Sequence, residues 1–182
     1  LRALHSALVY PLRNAMMYSR VLKLATKDAL TGLNNRSQFN DMLSQKLENC
    51  RRYQRPFSLM LLDLDNFKQV NDNYGHKVGD DVLKEFSQVL CSSIRGTDSV
   101  FRFGGDEFSL IIEDPEFTTN KVVAERIMHL VRSSSLMSKY KVTTSIGFTL
   151  ANSQDCETAI FARADKGLYK AKASGRNCAK AY

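Results

Sequence analysis

Little in this chain binds metal through sulfur or nitrogen. Its four cysteines (Cys50, Cys91, Cys156 and Cys178) are widely scattered, no Cys-x-x-Cys pair occurs, and only three histidines supplement them. That argues against a zinc site or a disulfide framework and fits a reducing, cytoplasmic compartment. No uninterrupted apolar run approaches the ~20 residues of a membrane-spanning helix, and no stretch joins a charged start, an apolar middle and a small-residue cleavage site. Internal repeats with a period of roughly 20–50 residues are absent too. The chain opens on Leu1 rather than methionine, and the expectation is a piece of a longer protein with a sensor or membrane anchor ahead of it.

With 182 residues, 43% hydrophobic and 25% charged, the chain is long and apolar enough to bury one sizeable core. Its formal charge of +7 suits a nucleic-acid surface or a site that receives a polyanion such as a nucleoside triphosphate. The basic residues are scattered and no aromatic-lined basic platform stands out, so nucleic acid is not the expected partner.

Apolar residues recur at Leu1, Leu4, Leu8, Ala15, Tyr18, Leu22 and Ala25, a roughly heptad-spaced stripe interrupted by Pro11. The spacing predicts a helix with coiled-coil tendencies; an amphipathic helix packed on its own domain fits equally. "KDALTGLNNRSQF" reads as a loop entering a helix that buries Phe39, Met42, Leu43 and Leu47. Phe57 to Leu62 is a continuous apolar run of the length of a strand covered on both faces, and Asp63 is expected where it emerges. "NFKQVNDNYGHKVG" predicts a short helical turn and a loop. Helical spacing resumes at Val82, with Asp80 as its N-cap and an end near Arg95-Gly96. Two short β-like runs around Gly104-Gly105 predict a hairpin. A helix through Val123 and Ile127, a strand "KVTTSIGFTL" and a helix through Ile160 and Ala171 that stops at Gly175 complete the chain. The predicted class is α+β, a central mixed or antiparallel sheet flanked by helices.

Buried carboxylates are expensive unless compensated, which draws attention to Asp63 and to Asp106 at the tip of the hairpin. Carboxylates brought together on neighbouring strands repel unless a cation lies between them, and hard oxygen ligands favour Mg²⁺. A loop-capping Asp63 and a turn-forming Asp106 account for the same spacing.

"FGGDEF", together with "DALTGLNNR", "LDLDNFKQVNDNYGHKVGDDVL", "SIGFT" and "ADKGLYKAKASGRN", resembles the GGDEF-domain diguanylate cyclases, in order from Asp28 to Asn177. The resemblance implies a nucleotidyl-cyclase-like domain over residues 28–182, preceded by a signalling helix over residues 1–27. It implies condensation of two GTP into cyclic di-GMP with release of two pyrophosphates, by two domains facing one another as a homodimer. The implied cofactor is Mg²⁺, with Mn²⁺ as the alternative ion. Asp63, the Leu64 carbonyl, Asp106 and Glu107 would hold it, and Glu107 would otherwise help deprotonate the attacking hydroxyl. Asn71 and Asp80 would read guanine. Lys68, Lys172, Arg176 and backbone N–H groups from Asp65 to Phe67 would bind phosphates, although the stretch is no Walker loop, lacking its glycines and Lys-Ser/Thr end. Gly104 and Gly105 would let the backbone approach the nucleotide. Arg95 and Asp98 match the family's R-x-x-D product-inhibition motif, with Arg126 as a second contributor; a helix-terminal Arg and a turn-starting Asp are the plainer account of that pair. Ser37 and Asn66 depart from common family residues at positions that are not ligands. The competing class, a catalytically silent module that binds GTP or cyclic di-GMP, would be favoured by an altered signature, and "GGDEF" is unaltered.

Overall fold

A computed structural model describes residues 26–113 and 117–182. The expected signalling helix lies outside the described residues except for Thr26 and Lys27. Asn35 accepts a hydrogen bond from the Gln38 N–H at 3.1 Å and so caps α1 (Arg36–Tyr53), whose Phe39, Leu43 and Leu47 are buried as the spacing predicts. β1 (Ser58–Asp65), α2 (Phe67–Tyr74), α3 (His76–Ser93), β2 (Ser99–Gly104) and β3 (Glu107–Ile112) follow. Then come α4 (Phe117–Ser133), the short α5 (Ser135–Lys139), β4 (Thr143–Leu150), α6 (Glu157–Ala173) and β5 (Ala179–Ala181).

The strands form one sheet in the order β2-β3-β1-β4-β5, antiparallel except for the β4–β5 pair. β1 is central and covered on both faces, which is why its sequence is apolar without alternation. Met60, Leu62 and Leu64 pack with Val82, Phe86 and Leu90 of α3 and Ile127 and Val131 of α4. Leu59 and Leu61 point the other way, toward Phe39 and Leu43 of α1 and Ile160 and Ala164 of α6. Among the described residues no helix is long and apolar enough to cross a membrane.

Two boundaries differ from the sequence reading. β1 does not end at Leu62 but runs to Asp65, so Asp63 lies inside the strand, opposite Glu107 on one side and Ser145 on the other. Polar residues continue the strand because Asp63 and Asp65 share the face on which the end of α6 and the hydroxyls of β4 supply partners. The supposed loop through "NDNYGHKVG" is two helices divided at Gly75, whose φ of 82° makes the break. Asp80 is therefore the fifth residue of α3 and not its N-cap. The end expected near Arg95-Gly96 holds to within two residues, with α3 stopping at Ser93, which leaves Arg95 just beyond the helix rather than in its last turn. The stop at Gly175, φ 101°, holds: α6 ends two residues earlier.

One close approach sets the position of the end of α6. A Cβ on Gly147 of β4 would come within 2.0 Å of the Leu168 backbone nitrogen, and one on Gly167 within 2.8 Å of the Lys180 carbonyl. These glycines let the helix lie almost on the sheet backbone, and Lys172, one turn beyond Leu168, is carried over Asp63.

Candidate active site

The hairpin turns at Gly105 and Asp106. Gly104 and Gly105 adopt φ values of 135° and 54°, a region that costs a side-chain-bearing residue strain. The register shifts between Arg102 and Gly104, an irregularity of the kind that re-aims a strand end. The Asp106 carbonyl then accepts a long hydrogen bond, 3.4 Å, from the Leu64 N–H. Glu107 begins β3 exposed and directly opposite Asp63.

Asp63 is the electrostatic centre of this edge. Its side chain is 15% exposed, and Lys172 Nζ lies 2.8 Å from its Oδ2. Burial pushes its carboxyl above the ordinary value; the hydrogen bond and charge of Lys172 oppose that, while the charges of Asp106 and Asp65 add to it. Such a carboxylate calls for a cation. The donors here, two aspartates, a glutamate and a backbone carbonyl, are hard oxygens that suit Mg²⁺. Among the described residues no group of three or more His, Cys, Asp or Glu converges as a metal cage; Mg²⁺ is commonly held by one or two carboxylates and completed by substrate phosphates and water.

Next to this edge, Asn66 takes a φ of 66° and starts α2 without a side-chain cap, which leaves first-turn N–H groups for an anion. Phe67 itself is 8% exposed and packs in the core, so its backbone is what it offers a ligand. Lys68 is exposed. Asn71 of α2 lies against Gly79 of α3, the residue before Asp80: a Cβ there would overlap the Asn71 Oδ1 at 2.0 Å. Arg176 sits exposed in a left-handed conformation, φ 65°, in the loop after α6.

The R-x-x-D residues form a separate place. Arg95, Asp98 and Arg126 line one cavity of about 260 Å³ together with Ser93, Thr119 and Val122. Asp98 accepts from the Arg95 and Glu113 backbone N–H groups at 3.0 and 3.1 Å, and Arg126 donates to the Ser93 carbonyl at 3.1 Å.

A family model described as "Diguanylate cyclase, GGDEF domain" matches residues 25–178. The chain belongs to the GGDEF diguanylate cyclase family. It is similar to the diguanylate cyclase DgcS of Shewanella oneidensis, 42% identical over 99% of this chain and 60% of that protein. The response regulator PleD of Caulobacter vibrioides is 41% identical over 91% of this chain and 37% of that protein. The chain thus spans roughly one to two thirds of the length of these curated relatives. Its fold superposes on the coiled coil and GGDEF domain of DgcB from Caulobacter crescentus, solved in complex with c-di-GMP, with a TM-score of 0.90 and 28% identity over 100% of this chain and 98% of that one. Diguanylate cyclase SiaD of Pseudomonas aeruginosa, solved with its activator SiaC, gives a TM-score of 0.78 and 33% identity over 100% of this chain and 71% of that one. The family is divalent-metal dependent, in keeping with the donor set around Asp63.

Within this GGDEF domain two residues matter that the sequence reading did not single out. Arg102, 8% exposed, donates from Nε and Nη2 to the Gly105 carbonyl at 3.1 and 2.8 Å and from Nη1 to Asp28 Oδ1 at 2.8 Å. It ties the signature turn to the "DALTG" loop, where Asp28 also accepts from the Thr31 N–H and hydroxyl. Asp65, 2% exposed, is the other. A charged residue in an otherwise apolar strand was the available signal for both.

Proposed function

We propose that this domain is an active diguanylate cyclase that works as a homodimer, each partner presenting one GTP so that the 3′-hydroxyl of one attacks the α-phosphate of the other. The observation that carries this reading is Asp63: a mostly buried carboxylate facing Glu107, influenced by Asp106, and neutralised by a lysine from the far end of the chain. Bound at Asp63, Asp106, Glu107 and the Leu64 carbonyl, Mg²⁺ or Mn²⁺ would supply Lewis-acid polarisation of the phosphate and charge balance for the attacking oxygen. The chain's own groups do the rest. Lys68, Lys172, Arg176 and the first N–H groups of α2 take up the triphosphate, Lys172 exchanging Asp63 for phosphate oxygen. Asn71 and Asp80 meet the donors on the guanine edge, and adenine leaves them unpaired. Glu107, exposed at the start of β3, accepts the proton of the 3′-hydroxyl. Residues 1–27 serve as the transmitter that sets how two domains meet.

Incubation with GTP and Mg²⁺ should yield cyclic di-GMP by chromatography, with a rate per domain that climbs with protein concentration. No product at high concentration would sink the reading. Gly79→Ala should displace the Asn71 amide, the end of a flexible side chain, and press only lightly on the core, where the Phe67 Cζ would lie 3.3 Å from the new Cβ. We expect discrimination of GTP against ATP to fall by about 10-fold or more with little change in Tm; unchanged discrimination would remove Asn71 from base reading.

We assign product binding to the cavity of Arg95, Asp98 and Arg126. A guanidinium fork suits a phosphate or a guanine edge, and two arginines line this cavity. Arg95→Ala should carry less cyclic di-GMP through purification and escape inhibition by added product while still forming it. Equal inhibition of variant and wild type would leave the pair a purely structural turn.

A further inference from the structure

Asp65 is a buried carboxylate with no ion pair among the described residues, held by neutral donors alone. Ser145 Oγ donates to its Oδ1 at 2.7 Å; Thr143 Oγ1 and the backbone N–H of Asn177 donate to its Oδ2 at 2.7 and 3.0 Å. The hydroxyls come from the neighbouring strand β4. The Asn177 N–H comes from the loop that follows α6, more than a hundred residues away in sequence.

That loop needs holding. Arg176 and Asn177 have φ values of 65° and 45°, a left-handed pair without glycine, and such backbone persists only where its surroundings over-determine it. The Arg176 N–H reaches back to the Ala171 carbonyl at 3.2 Å, and the Cys178 carbonyl accepts from Ile146 at 3.0 Å. Between these two anchors the Asp65 carboxylate is the buried acceptor for the strained step, through the charge-assisted type of bond that is shorter and stronger than a neutral one. Asp63 and Asp65, on one face of β1, therefore grip two successive features of the same segment: Asp63 the Lys172 head, Asp65 the turn that presents Arg176.

We infer that Asp65 is a positioning residue for triphosphate binding, acting through the Asn177 N–H to fix the loop that carries Arg176 and the end of α6 that carries Lys172. It touches no phosphate itself. This rests on the reading above that Lys172 and Arg176 meet the phosphates, while the guanine contacts of Asn71 and Asp80 lie on other elements.

Calorimetric titration of the whole chain with GTP and with GMP, Mg²⁺ present, tests it. Asp65→Asn should weaken GTP by about 10-fold or more, the order by which a small misplacement acts, and leave GMP within about 2-fold, because GMP relies on the base contacts. Thr143→Val keeps the carboxylate but removes the other donor to Oδ2, one of the three bonds that hold the carboxylate in place for the Asn177 N–H; it should show a smaller GTP-selective loss and stands in if Asp65→Asn does not fold. Ser145→Ala removes only the Oδ1 partner and should lower Tm without changing the GTP:GMP ratio. Equal loss of both nucleotides, or no GTP-selective loss in Asp65→Asn or in Thr143→Val, overturns the inference. Wild-type protein that binds neither nucleotide overturns the functional reading instead.

Discussion

Asp63→Asn should lower cyclic di-GMP formation by about 10²–10³-fold or more, the scale on which a single electrostatic stabiliser acts, while the domain stays folded. A neutral amide cannot balance a divalent cation beside a triphosphate, and Asp63 is a mostly buried member of the acidic group, set inside β1 rather than on a loop. Stability should not follow activity. Burial already penalises the ionised carboxyl, the amide carries no charge to desolvate, and Lys172 is exposed enough, at 38%, to find water. Turnover and thermal unfolding of the same preparation check both halves. Near-normal product formation would mean that Asp63 is not a metal ligand, and a collapse of Tm would mean that its ion pair holds the fold.

Arg102→Ala is expected to cost about 3 kcal/mol or more, as when one partner of a buried pair is removed, lowering Tm by about 6–12 °C in a domain of this size. The variant leaves Asp28 without its cation and the Gly105 carbonyl without its two donors. It should also slow turnover, because the turn carrying Asp106 loses its tie. Burial would raise the Asp28 carboxyl, but hydrogen bonds from Thr31 and Arg102 outweigh it and hold it below its ordinary value. A depressed carboxyl stabilises above its unfolded pKa, and that contribution disappears as pH falls through the folded one. The gap between wild type and Arg102→Ala should therefore narrow in denaturant melts taken well below the ordinary carboxylate range. A gap that stays constant with pH would assign the loss to packing of the arginine stem on Phe108, whose ring centroid is 5.9 Å from the guanidinium carbon.

The hairpin was legible because local chemistry decides it. Gly104 and Gly105 supply conformations that other residues resist, and apolar runs on either side leave few alternatives. Helix α1 was legible for a similar reason, with its Asn35 cap and its buried stripe Phe39, Leu43 and Leu47 all in one window. The break between α2 and α3 was not: a glycine amid Asn and Asp looks like loop, and only the packing of Val70, Val82 and Phe86 into one core shows that both sides are helical. β5 is three residues long and exists through its parallel pairing with β4, a non-local partner.

For the site, the order of motif blocks in the chain established by itself the family, the signature carboxylates and the glycines that shape their turn. All are carried by consecutive residues: the family by the resemblance of those blocks, the turn by short-range sterics. Which charges meet was decided in three dimensions. Lys172 reaches Asp63 because Gly147 and Gly167 let α6 lie against the sheet; Arg102 finds Asp28 across 74 positions; and Asp65 takes its third hydrogen bond from Asn177 across 112. No periodicity encodes such pairs. A buried charge in a strand announces that it needs a partner, since leaving it alone is too costly, but the choice of partner belongs to the sheet order that brings β3, β1 and β4 together beneath the end of α6.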